Sequence, residues 1–146
     1  MTDMSDETPR RRYKPGAFDF KVKRASAGLG LFADSPIPKG ACVIEYTGTP
    51  ITREAVFTSN SRYLFEINSR KTIDGSPRWN TARYINHSCR PNCEIEIYKG
   101  RVWLFARRNI RTGEELGYDY GAAYVEAYLS GKCLCSGCAP KETKAA

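Results

Sequence analysis

Glycine and proline interrupt this chain too often for any long regular element to form. Gly28 and Gly30, Pro36 to Gly40, Gly48 and Pro50, Gly75 to Pro77, Lys99-Gly100 and Gly113 punctuate it, with turn signals about every eight to twelve residues. Proline cannot donate to a ladder and glycine opens conformations closed to other residues, so each cluster marks a break. What lies between the breaks must therefore be short.

Those short pieces carry the two-residue period of half-buried strands. Phe18, Phe20 and Val22 alternate with polar neighbours, and Leu31-Phe32-Ala33 restarts a strand after the Ser26–Gly30 turn. Residues 41–46 form an apolar run suited to a buried strand, which Gly48 and Pro50 end. Tyr63 to Ile67 and Thr72 to Asp74 read as strands, and residues 93–106 as a hairpin turning at Lys99-Gly100. Thr52 is placed to cap a short helix ending near Asn60, and Ala122 to Leu129 reads as a late helix stopped by Gly131. Periodicity alone predicts a mainly β protein with little helix, a small barrel or sandwich.

The 146 residues suffice for one domain with a modest core. No apolar run approaches the roughly 20 residues of a membrane span, and Met1 to Arg12 is too polar for a secretory signal. The expectation is a soluble intracellular protein, cytoplasmic in a prokaryote and nuclear in a eukaryote. Its net charge of +7 is carried mostly by residues 17–121, where sixteen basic residues face eleven acidic ones. Arg10-Arg11-Arg12 with Lys14 forms a basic cluster able to touch nucleic-acid phosphates weakly; the plainer reading is a solvated arm. Six cysteines, three of them within Cys133–Cys138, suit a metal site better than a disulfide framework in an intracellular chain.

Two blocks concentrate the chemistry. Arg83-Tyr84-Ile85-Asn86-His87-Ser88-Cys89-Arg90-Pro91-Asn92 holds the single histidine, and Glu114-Glu115-Leu116-Gly117-Tyr118-Asp119-Tyr120 places two tyrosines around an aspartate. Pro91 bars a helix from the first block. The plain reading is a polar turn and a strand end. Together with Gly28-Leu29-Gly30-Leu31-Phe32-Ala33 and Cys133-Leu134-Cys135, however, the blocks resemble the motifs of SET-domain protein lysine methyltransferases, loosely RFxNHSCxPN and ELxxDY, in the same order. Three departures stand out: the last cysteine gap is two residues instead of four, Gly117 replaces a frequent Thr, and Trp79 replaces a usual Gly before Asn80.

The resemblance implies a fold of several small twisted sheets around a knot-like crossing near the C-terminus. It divides the chain into a flexible basic arm (1–16), a SET domain (17–121), and a short helix with a zinc-binding tail (122–146). It implies S-adenosylmethionine as cofactor, held by Gly28, Leu29, Gly30, Tyr63, Arg83, Asn86 and His87, with the histidine acting largely through its backbone and not as a base. It assigns Tyr120 to catalysis, with Tyr118 and Tyr63 lining the lysine channel and Tyr46 either a wall or a core residue. A lysine must be neutral to attack a sulfonium, and a narrow phenol-lined channel favours the amine by desolvating its ammonium. Tyr118, where Phe marks enzymes that add further methyl groups, implies monomethylation. Cys89, Cys133, Cys135 and Cys138 are the implied ligands of one structural zinc, whereas Cys42 and Cys93 read as core thiols. The implied substrate is a histone or another basic protein. The rival reading is a non-catalytic module docking protein or nucleic acid through its basic surface.

Overall fold

The computed structural model describes residues 12–121. Among these residues, ten strands make four small sheets, with one short α-helix between them. Strands β1 (Phe20–Ala25) and β2 (Gly28–Ala33) form a hairpin, and Gly28 takes the left-handed φ of 105° its turn requires. β3 (Cys42–Tyr46), β8 (Cys93–Tyr98) and β9 (Arg101–Ala106) form a sheet with β9 at its centre. The predicted hairpin turn is there, with φ of 51° at Lys99 and 75° at Gly100, the paired positive values that suit a two-residue hairpin loop. Every residue of β9 after Arg101 is buried, as expected for a central strand.

A third sheet orders β4 (Thr49–Ile51), β6 (Lys71–Asp74) and β5 (Leu64–Asn68). Pro50, taken from sequence as a breaker, lies inside β4, which its sheet tolerates because β4 is an edge strand. Helix α1 (Arg53–Thr58) begins at Thr52, whose hydroxyl accepts from the Ala55 amide at 3.1 Å, as the capping pattern predicts. The expected late helix at 122–129 lies outside the described residues.

The barrel or sandwich expected from periodicity is not formed; the several small sheets implied by the family resemblance are. The fourth sheet explains why. β7 (Asn86–His87) and β10 (Gly117–Tyr118) pair in parallel, Gly117 opposite Asn86 and Tyr118 opposite His87. Leading into β10, Glu114 and Leu116 bond to the backbone of β2, and the Asn92 side chain grips the other side. Residues 114–118 thus run between the β1–β2 hairpin and the 86–92 loop. Around this crossing Leu31, Val43, Ile85, Leu104, Ile110 and Leu116 are buried to within 1% of their surface.

A smaller cluster on the other face of the β9 sheet joins Cys42, Trp103 and Phe105. Tyr13 covers it, stacking on Tyr98 with ring centroids 3.9 Å apart and donating its hydroxyl to Glu96. Residue 13 belongs to the stretch expected to be a flexible arm, and its ring packs against the sheet.

Candidate active site

A 3₁₀ turn at Thr81–Tyr84 delivers the chain to Ile85 and β7. Beyond it, Asn92 is 4% exposed and ties its loop to the segment entering β10: its amide nitrogen donates to the Glu115 carbonyl at 2.9 Å, and its oxygen accepts from the Gly117 amide at 3.0 Å. This asparagine, a turn residue by sequence, holds the two chemical blocks together.

His87 is 8% exposed, and its Nδ1 accepts from the Tyr120 backbone amide at 3.0 Å. An accepting Nδ1 leaves the proton on Nε2, which lies 3.7 Å from the Cys89 sulfur. Burial pushes the imidazole pKa below its usual value, against an opposing pull from Asp119. Both the accepting Nδ1 and the lowered pKa favour the neutral ring.

On one side of this junction is a cavity of about 190 Å³ walled by Tyr46, Tyr63, Phe65, Ile85, Tyr118 and Tyr120. Tyr118 is buried, its ring centroid 4.8 Å from that of Tyr120. The Tyr120 hydroxyl donates to the Ile85 carbonyl at 2.5 Å, and the Tyr46 hydroxyl to the Tyr63 carbonyl at 2.9 Å. Tyr46 is therefore both core and wall. Such walls penalise a cation that lacks water, while phenol and carbonyl oxygens can still hold an amine. Arg83 lies here too, its guanidinium 4.5 Å from the Tyr63 ring and 5.0 Å from that of Tyr84, with Nε buried and unpartnered among the described residues.

On the other side lies a more polar cavity, also about 190 Å³, lined by Asn86, His87, Ser88, Glu115 and Gly117 among others. The Asn86 amide donates to the Leu29 carbonyl at 3.0 Å and to Glu115 Oε2 at 3.1 Å. Gly30 permits this approach, because a Cβ there would sit 2.6 Å from Glu115 Oε2. The structure thus brings Leu29 and Gly30 to Asn86 and Glu115, with His87 on the wall of the same cavity, and brings Tyr63, Tyr118 and Tyr120 together. Arg83, grouped by the resemblance with the cofactor residues, lines the tyrosine cavity, as does Tyr63, which the resemblance placed in both groups. Glu115 went unassigned although it lies in the second block, and Ile85 contributes a backbone carbonyl that no residue letter announces.

Cys42 and Cys93 are buried as expected, and burial pushes their thiols up to about 11 and about 12. Cys89 is exposed. Cys133, Cys135 and Cys138 lie outside the described residues, among which no cluster of three or more metal-binding side chains occurs. Arg10 and Arg11 also lie outside them. No described helix is long and apolar enough to cross a membrane.

Residues 28–121 match the family model for the SET domain. The chain is 42% identical over 105 residues to the histone-lysine N-methyltransferase trr of Drosophila melanogaster, covering 64% of this chain and 4% of that protein. It is 38% identical over 120 residues to the histone-lysine N-methyltransferase 2D of Homo sapiens, covering 74% of this chain and 2% of that one. Against the putative histone-lysine N-methyltransferase ASHH4 of Arabidopsis thaliana the identity is 35% over 127 residues, 78% of this chain and 36% of the relative. The match thus spans a small part of these relatives.

Proposed function

The chain belongs to the SET-domain family, and on that premise we propose that it is an S-adenosylmethionine-dependent protein lysine N-methyltransferase. One observation carries the reading: Tyr120 joins the two cavities. Its amide is bound to His87 in the polar cavity, while its ring and hydroxyl lie in the tyrosine cavity against Ile85.

The polar cavity fits the cofactor. Asn86 commits its amide hydrogens to Leu29 and Glu115, and its oxygen has no partner among the described residues, leaving an acceptor for an ammonium. Gly28 to Gly30 supply backbone without bulk. When bound, S-adenosylmethionine supplies a methyl group activated on a sulfonium. The chain's residues supply the rest. Phe65 and the tyrosines strip water from the incoming ammonium, which favours its neutral form. The Tyr120 hydroxyl and the Ile85 carbonyl hold the amine in line, converting the encounter into an oriented one. Tyr118 narrows the cavity beside Tyr120, supporting transfer of a single methyl group. Cys89, with Cys133, Cys135 and Cys138, is the proposed zinc set; an exposed thiol beside the polar cavity suits a ligand. The relatives named above are histone-lysine methyltransferases, which supports a nuclear, chromatin-associated role in a eukaryotic cell.

Calorimetric titration with S-adenosylmethionine tests cofactor binding, and Asn86→Ala should weaken it by about 1.5–3 kcal/mol. Labelled cofactor incubated with cell extract tests transfer. Tyr120→Phe should keep the fold and lower turnover by about 10²–10³-fold. A protein that binds no cofactor and labels nothing is the docking module of the rival reading.

A further inference from the structure

Beyond the tyrosine cavity the surface does not suit a basic peptide. Arg62, Arg83 and Glu66 stand among its wall residues. Glu66 is also a wall of a second, open cavity of about 560 Å³ over the outer face of the β4–β6–β5 sheet. The two cavities are therefore neighbours across one side chain. The second adds Arg53, Arg70 and Lys71. The joint lining holds five basic residues against Glu66 alone.

None of Arg53, Arg70, Lys71 and Arg83 forms an ion pair among the described residues. Arg53 donates to the Ser69 carbonyl at 3.2 Å, Lys71 to the Gly100 carbonyl at 3.0 Å, and Arg83 stacks on tyrosines. Their charge is left for something outside the fold. The cavity also has an apolar end: Ile51, Val56 and Phe57 line it, and Phe57 is 83% exposed. A bare phenylalanine beside uncommitted cations suits an apolar side chain on an acidic segment.

We propose that this lining is a substrate-selecting groove, and that the lysine methylated lies in an acidic segment carrying a nearby apolar residue, not in a basic tail. The inference rests on the methyltransferase reading. A lysine approaching the mouth meets net positive charge, and carboxylates beside it in the peptide offset that repulsion while pairing with Arg70, Lys71 and Arg53. β5, 5 residues long and about 16 Å of extended chain, lines both cavities. The apolar residue that meets Phe57 is therefore within about five positions of the lysine.

The test uses the whole chain and three fluorescein-labelled peptides sharing one central lysine. Its flanks are aspartate and glutamate with a leucine four positions away, serine and glutamine with the same leucine, or arginine with the same leucine. Binding is read by fluorescence anisotropy and transfer by mass spectrometry after adding S-adenosylmethionine. The acidic peptide should bind about tenfold more tightly than the arginine peptide at low salt, with the difference shrinking as salt rises. Arg70→Glu with Lys71→Glu should abolish that preference without changing binding of the serine peptide, and should lower the melting temperature by no more than loss of the exposed Lys71–Gly100 hydrogen bond entails. Phe57→Ala should remove the advantage of leucine over serine at the same peptide position. Equal binding of all three peptides, preference for the arginine peptide, or no binding overturns the proposal. Methylation of the arginine peptide would then still uphold the methyltransferase reading. Selective binding of the acidic peptide without transfer keeps the groove and overturns that reading instead.

Discussion

Gly117 is the residue through which packing at the crossing can be measured. Its φ is not among the positive values that require glycine. Replacing a strand glycine with alanine would ordinarily stabilise by about 0.5–1 kcal/mol. Here a Cβ would lie 2.7 Å from the Ser88 Cβ, well inside the 3.4–4 Å of ordinary contact. The Ser88 Cβ is fixed to its backbone and cannot swing aside. Overpacking of this kind costs about 1–3 kcal/mol, so Gly117→Ala should lower the melting temperature by roughly 3–10 °C. Because Gly117 pairs with Asn86 and precedes Tyr118, the displacement should also weaken cofactor binding. Ser88→Gly removes the obstructing atom; the next contact for a Cβ at 117 is the Asn86 carbonyl oxygen at 3.4 Å. Alone, Ser88→Gly loses its 3.1 Å hydrogen bond to the Arg90 amide, worth about 0.5–1.5 kcal/mol. The double mutant should therefore be more stable than the sum of the singles allows, by about 1 kcal/mol or more. Thermal melts of the four proteins decide it. A Gly117→Ala protein as stable as the parent, or strictly additive mutants, would show that the crossing yields freely and the steric account is wrong.

Other perturbations reach the remaining parts. Tyr118→Phe should shift the product from monomethyllysine toward dimethyllysine with the first transfer intact, because a pocket hydroxyl can hold a water where a second methyl must turn; mass spectrometry at early times reads it, and mostly trimethyllysine from the parent would rule Tyr118 out as the gate. Metal analysis should find about one zinc per chain, and chelation should lower melting temperature and transfer together; absence of zinc with all thiols titratable would remove the proposed site. Asp74 gives a pH dependence. Burial alone would raise its pKa, but hydrogen bonds from Ser61 at 2.7 Å and the Ser76 amide at 3.0 Å hold it below its ordinary value. A depressed folded pKa contributes stability above pH of about 4 that is lost as pH falls through the folded value. Ser61→Ala should move acid destabilisation to higher pH in melts run between about pH 6 and 2, and an unshifted profile would mean that bond is inconsequential.

Most of what is local was legible in the sequence. Thr52 caps a helix because its hydroxyl reaches an amide three residues on, and Lys99-Gly100 turns a hairpin because both residues accept positive φ. The mainly β character follows from alternation, and Cys42 and Cys93 were placed in the core because they sit in apolar strand registers. The two blocks could be recognised, since side-chain chemistry is written in residue letters. Their meeting was not written there. Asn86 lies beside Gly117 only because residues 114–118 pass between β2 and the Asn92 loop, a pairing with no period to betray it. Alternation reports which way a side chain faces and is silent on which strand lies alongside. For the same reason Arg83, grouped with Asn86 by the resemblance, was not foreseen on the wall of the tyrosine cavity, where it lies beside Tyr63. Pro50 was taken as a break because its safety at an edge depends on where the sheet ends. The Ile85 carbonyl that receives the Tyr120 hydroxyl is backbone, identical at every position until the fold aims it.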